Sequence, residues 1–291
     1  MKQKIITLIL VSCICLPLAG QSQHEFSINA GGGLSTLSYK PSVGKSASGF
    51  GGEVGLGYHF FFAPKLSIGT GVNLALYNSE ATLNTYSNTY NATTLSNNVF
   101  EFTYAMTNYK ENISAMMLTI PLMLQYQITD GKVGFYVAGG GKIGLPLSAN
   151  YKTSIEKLET RGYSPELEVL FDDLPKYGLR NDYRGIDRKT DMKLNPAFML
   201  SAEAGAKLRL GDDMSLYMGA YIDYGLNNMK KDKPASLLGY SHATSYPEGF
   251  EYNSMANSLS KKINSFAVGL KFRLNIGSSF FGKKENVTDS E

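Results

Sequence analysis

Phe266-Ala267-Val268-Gly269-Leu270-Lys271-Phe272-Arg273-Leu274-Asn275-Ile276 is the stretch that decides the fold. Its even-numbered residues are all large and apolar, and its odd-numbered ones are small, charged or amide-bearing. A period of two is that of an extended strand whose side chains alternate between two faces. Seven further stretches share it. At 26–39, Phe26, Ile28, Ala30 and Leu34 oppose Ser27, Asn29 and Gly33; at 50–60, Val54, Leu56, Tyr58 and Phe60 oppose Glu53, Gly55, Gly57 and His59. The same alternation runs through 66–77, 116–128, 133–147, 197–210 and 214–226, giving an even count of eight.

The connections sort by length. Short turns lie at 61–65, 129–132 and 211–213, a modest link at 40–49, and three long polar stretches at 78–112, 149–194 and 227–263. A soluble sandwich has no reason to sort its loops in this way, whereas a membrane barrel has short turns on one side and long loops on the other. The expectation is an all-β, eight-stranded antiparallel transmembrane β-barrel with long extracellular loops, short periplasmic turns and both termini periplasmic. Val99-Phe100-Glu101-Phe102-Thr103-Tyr104 also alternates, so the third and fourth strands are expected to project as a hairpin.

One face of every stretch is aliphatic or aromatic and meets lipid. The other would gather Glu53, Glu203 and Asp223 with Lys142, Lys207, Arg209, Lys271 and Arg273 inside a barrel just wide enough for side chains to fill. Such charges must pair, because an isolated ion there is very costly to desolvate. Tyr39, Tyr58, Tyr77, Tyr126 and Tyr224 near segment ends suit interfacial aromatic girdles. Pro121 and Pro146 remove ladder donors, which implies either a bulge or a local break in pairing.

Residues 1–22 read as a secretory signal peptide: Lys2 and Lys4, an apolar run from Ile5 to Ala19, then Gly20 and Ser22 before a cut at Gln23. A lipoprotein cut at Cys13 is the alternative, although it would truncate the apolar run. Cys13 and Cys15 are the two cysteines of the chain, so the mature protein has no disulfide framework or thiolate site. The expected plan is a leader at 1–22, a barrel at 23–276 and a short periplasmic tail at 277–291. No stretch after the leader approaches the ~18 apolar residues of a transmembrane helix. Removing Lys2 and Lys4 leaves 26 basic against 25 acidic residues with no basic block, which argues against nucleic acid as a partner.

Met117-Leu118-Thr119-Ile120-Pro121-Leu122-Met123-Leu124-Gln125-Tyr126 resembles the Ile-Pro-Leu strand of the outer-membrane β-barrel domain family that includes PorT-type proteins. Residues 51–58, 135–142 and 266–274 look like that family's second, fifth and last strands, and 200–207 through 221–228 resemble the barrel half of OmpA-like proteins. The resemblance implies outer-membrane lipid and the barrel-insertion machinery as partners. Gly269, Phe272 and Leu274 fit an assembly signal in the last strand, while Ala267 stands where a polar residue is expected. Larger relatives carry a peptidoglycan-binding domain after the barrel, for which residues 277–291 leave no room.

Catalytic, metal and cofactor sites are not expected. His24, His59 and His242 have no ligand spacing, and Gly139-Gly140-Gly141 lacks the lysine and helix of a phosphate loop. Glu203 and Asp223 read as structural ions kept charged by Lys207, Arg209 and Arg273 rather than as an acid and base. Three roles follow: a monomeric structural or loop-displaying barrel that binds an extracellular ligand or protein, a narrow pore for water or small ions, or a rim enzyme acting on lipid through Ser241 and His242.

Overall fold

The computed structural model describes residues 23–277 apart from 95, 212, 243 and 244, so the expected leader and the tail beyond Gly277 lie outside the described residues. The strands are β1 (Gln23–Pro41), β2 (Lys45–Ser48), β3 (Phe50–Ala63), β4 (Leu66–Thr93), β5 (Val99–Asp130), β6 (Val133–Ser164), β7 (Val169–Phe171), β8 (Asp173–Leu174), β9 (Leu179–Asp191), β10 (Ala197–Arg209), β11 (Met214–Gly225), β12 (Leu238–Gly239), β13 (Glu251–Tyr252) and β14 (Ser260–Ile276). A single helical turn, α1 (Met255–Ser258), precedes β14.

Pairing is antiparallel throughout. Passing from β1 through β3, β4, β5, β6, β10, β11 and β14 returns to β1, which removes the free edges of that part of the sheet. Opposite its β5 edge, β6 divides its length: Val133–Gly144 pairs with β10, Asn150–Thr160 with β9 and Gly162–Ser164 with β7. The long strands β4, β5 and β6 therefore run out of the closed ring and continue, joined by β9, as a projecting sheet.

The two parts have opposite polarity. In the ring, Phe26, Leu56, Leu122, Phe135, Leu200 and Leu270 point outward and are exposed, while Glu53, Asn73, Gln125, Lys142 and Ser201 point inward and are buried. In the projecting part, Asn112, Lys152 and Arg184 are outward and exposed, and Phe102, Tyr104, Ile113, Ile155 and Leu158 are inward and buried. The chain between β11 and β14 folds over that inner face and adds Leu237, Leu238, Phe250 and Met255 to one continuous apolar core. The projection is a dome with a core of its own.

A transverse crease crosses the dome. Asn84, Asn108, Glu156 and Gly185 stand opposite one another on β4, β5, β6 and β9, and each drops out of its ladder although register is kept on both sides. Asn108 and Gly185 are left-handed, with φ of 52° and 62°. Buried positions here lie three residues apart instead of two: Met106 to Tyr109, Ile155 to Leu158, Tyr183 to Ile186. Which parity faces inward therefore reverses across the crease.

Several expectations need correction. The stretches 78–112 and 149–194 are mostly strand rather than loop, because their outward residues turn polar while their inward ones turn apolar. Tyr39 and Tyr77 are not girdle residues: both are odd-numbered on strands whose even residues face out, and both are buried in the core. Tyr126 and Tyr224 do face outward. Pro146 adjoins a bulge, since Met116 faces Ser148 while Met117 faces Pro146. At Pro121 the β4–β5 ladder lapses without a shift of register, and the Thr70 hydroxyl donates to the Pro121 carbonyl at 2.9 Å.

Candidate functional site: a paired lumen beneath an aromatic dome

The inward residues of the ring bring the charges together in two groups. In the group nearer the dome, Lys142 Nζ lies 2.8 Å from Asp223 Oδ2 and 3.5 Å from Glu53 Oε2. Lys271 Nζ bridges the second pair, at 3.0 Å from Glu53 Oε1 and 3.5 Å from Glu203 Oε2. Ser201 donates to Asp223 at 2.6 Å and Tyr136 to Glu203 at 2.7 Å, so these two carboxylates also accept a neutral hydrogen bond.

The group nearer the short turns is built differently. Lys207 Nζ lies 3.6 Å from Glu25 Oε1, and the Asn275 amide donates to Glu25 Oε2. Arg273 takes neutral partners: Nη1 lies 2.9 Å from His59 Nε2, Nη2 donates to Gln125, and the guanidinium stacks 4.4 Å from the Tyr217 ring centre. Buried acids Glu25, Glu53, Glu203 and Asp223 thus face buried bases Lys142, Lys207, Lys271 and Arg273, a balanced set. Arg209 is half-buried at the end of β10, two residues beyond Lys207.

Glycine makes this packing fit. A Cβ on Gly219 would fall 2.5 Å from the Tyr136 hydroxyl, and one on Gly69 would fall 2.5 Å from His59 Nε2. The ring is so narrow that these inward positions must be empty for the large polar side chains opposite. Between Asn29, His59, Asn73, Glu203 and Arg273 a cavity of about 30 Å³ is left, room for about one water.

Several partners differ from those expected. Lys271 and Lys142 are the cations that form ion pairs with Glu203 and Asp223, and Arg273 acts on Glu203 from further off. Glu25 lies only three residues beyond the expected leader and was missed, although its odd number puts it on the inward face with Ser27 and Asn29. Tyr136 and Tyr217 read as strand formers, yet they supply hydroxyls and ring faces to the ions. Ser241 donates its hydroxyl to the Gly249 carbonyl, and the exposed His242 ring lies edge-on 6.0 Å from Tyr240. Neither contact sets a base beside a nucleophile.

In the dome the inward side chains are aromatic. Phe102 packs 5.1 Å from Tyr240, Phe100 meets Tyr240 edge-on at 5.1 Å, and Tyr246 lies 4.7 Å from Phe250. The Tyr240 amide donates to the Tyr90 hydroxyl at 2.7 Å, and Tyr90 donates to the Leu238 carbonyl at 3.0 Å. Burial pushes the Tyr90 phenol up to about 12. Glu111 lies within this core with no exposure, accepting from Tyr109, from Ser254 and, at 2.8 Å, from the Met255 amide at the start of α1. Burial raises its carboxyl above the ordinary value of 4.5 against the lowering effect of these donors.

A sheet with an apolar outer band, a charged interior and a ladder that returns to its first strand defines a β-barrel of membrane type. Residues 19–231 match the family model described as the outer membrane protein beta-barrel domain, and the chain belongs to that family. Among solved structures it is similar to Neisserial surface protein A, with 9% identity, 88% of this chain and 95% of that one covered, and a TM-score of 0.31. OprG from Pseudomonas aeruginosa is 14% identical, covering 88% and 93%, with a TM-score of 0.33. Ail of Yersinia pestis is 10% identical, covering 88% and 99%, with a TM-score of 0.22. No curated protein matches the chain.

Proposed function

We propose that residues 23–276 form a monomeric, eight-stranded transmembrane barrel that serves as a closed platform. The termini lie in the periplasm and the dome stands outside the cell, where it binds an extracellular ligand or protein. Outer-membrane lipid surrounds the ring, and the barrel-insertion machinery acts on its last strand. The observation that carries this reading is the lumen: its acids and bases are balanced, Lys142, Lys207 and Lys271 pair with the acids while Arg273 bonds to neutral groups, and a cavity among them has room for about one water. A conducting path needs continuous wet space, and a lumen braced across its diameter supports display instead.

Conductance of the purified chain in planar bilayers tests this. The expected record has no discrete steps; reproducible unitary steps would transfer the protein to the pore class.

A further inference from the structure

The far end of the dome carries an apolar surface that neither the core nor lipid accounts for. In the connection between β6 and β9, Leu167, Leu170, Leu174 and Tyr177 are exposed, Leu167 to 66%. Leu167, Leu174 and Tyr177, with Val99, rim a groove of about 350 Å³ whose floor is Phe100, Leu179 and Tyr240. From Met116, at the upper border of the apolar band, β5 runs seventeen residues to Val99, or about 55 Å at ~3.3 Å per residue. The groove is therefore far above any bilayer that covers the ring, and an exposed apolar patch of this kind marks a contact surface.

The groove is held in shape. Tyr240 packs against Phe100 and donates its hydroxyl to the Tyr177 carbonyl at 3.1 Å. Gly178 turns the chain at φ 75°, where a Cβ would lie 2.8 Å from the Tyr246 ring. Glu168 is held in the left-handed region at φ 54°, a conformation that costs free energy in a residue other than glycine.

Charge identifies the occupant. Glu166, Glu168, Asp172 and Asp173 are exposed along the same connection, with Lys176 as its single cation. The exposed ion pairs of the described residues involve Glu159, Asp182 and Glu248 as acids, and none of these four. Arg180 stands opposite Asp173 across the β8–β9 pair without forming an ion pair with it, and the connection itself carries four carboxylates to one ammonium, a local excess of negative charge bordering an apolar groove.

We infer that the groove docks a cationic amphipathic polypeptide segment of a soluble partner. One or two of its apolar side chains enter between Leu167, Leu174 and Tyr177, and its lysines or arginines meet the four carboxylates. The inference rests on the display reading above.

The test uses the full chain in phosphatidylcholine nanodiscs and a synthetic peptide of alternating lysine and leucine, with empty discs as reference. Saturable binding is expected. It should weaken about tenfold or more when Glu166→Gln, Glu168→Gln, Asp172→Asn and Asp173→Asn are combined, and likewise with Leu167→Ser plus Leu174→Ser. Equal affinity in either variant overturns the inference, as does equally tight binding of an all-lysine peptide or an alternating glutamate and leucine peptide. All the altered residues are exposed, and heat-dependent gel mobility of each variant checks that it folds. A membrane-impermeant label on Lys176→Cys in intact cells separates the two claims. Labelling without peptide discrimination ends the docking inference alone, whereas absence of labelling ends the display reading as well.

Discussion

Leu122 and Ile113 stand on one strand, nine residues apart, yet Leu122 is 63% exposed and Ile113 is 1% exposed. Lys142 and Lys152 reverse the comparison on the next strand, the first buried in the lumen and the second exposed on the dome. Hydropathy alone does not set the direction of a side chain in this protein; the surrounding medium does. Where lipid surrounds the sheet, the apolar face turns out and the ions must satisfy one another across a narrow interior. Where water surrounds it, the same strands turn their apolar face in and build an ordinary core.

The largest expected effect tests the lumen. Lys271→Leu leaves Glu53 and Glu203 without the ammonium they share and should lower barrel stability by about 3–5 kcal/mol, read as the urea midpoint in detergent. Glu203→Leu should act in the same direction through Lys271. An unchanged midpoint would mean that these groups are hydrated independently. In the dome, Phe102→Ala removes a fully buried ring and should cost about 3–5 kcal/mol locally. Limited proteolysis should register that loss above the ring while the heat-dependent gel shift of the barrel persists, and a simultaneous loss of both would join the two parts into one unit.

The outer surfaces give a sharper pair. Leu122→Arg should cost about 2–4 kcal/mol in lipid, whereas Asn112→Arg on the same strand should change stability by no more than about 0.5 kcal/mol. Equal costs would abolish the boundary between the two media.

The smallest effect concerns Glu111. Its folded carboxyl titrates above the ordinary value of 4.5, so the folded dome holds the proton more tightly than the unfolded chain does. The stability it contributes is full below that ordinary value and is lost as pH rises through the folded value. Melting of the dome should therefore shift upward on acidification toward 4.5, and Glu111→Gln should flatten that window. A variant with the wild-type slope would assign the dependence to another group.

The ring was legible because lipid on one side and ions on the other give each strand a strong two-residue signal, as in Leu270, Lys271, Phe272 and Arg273. The dome was legible only at Val99–Tyr104. Two physical changes hide the rest. Beyond Tyr77 and before Met116 the apolar residues change faces, and at Asn84, Asn108, Glu156 and Gly185 the phase slips by one. A constant period therefore ends each strand too early, and polar outward residues such as Asn112 and Lys152 read as loop. Among the ions, strand parity put Glu53, Lys142, Glu203, Lys207, Asp223, Lys271 and Arg273 on the face where the fold buries them, while Glu25 was overlooked beside the leader, and parity on one strand does not determine which strand lies across a lumen. Lys271 next to Glu53 required the closed ring.

The most direct test is single-cysteine labelling, since residues 23–291 contain no cysteine. Leu122→Cys, Leu270→Cys, Asn112→Cys and Lys152→Cys are each exposed to a membrane-impermeant maleimide on intact cells. The two-medium arrangement predicts rapid labelling at 112 and 152 and protection at 122 and 270, with fluorophores at the latter pair quenched by brominated lipid. Equal labelling at all four positions would contradict it.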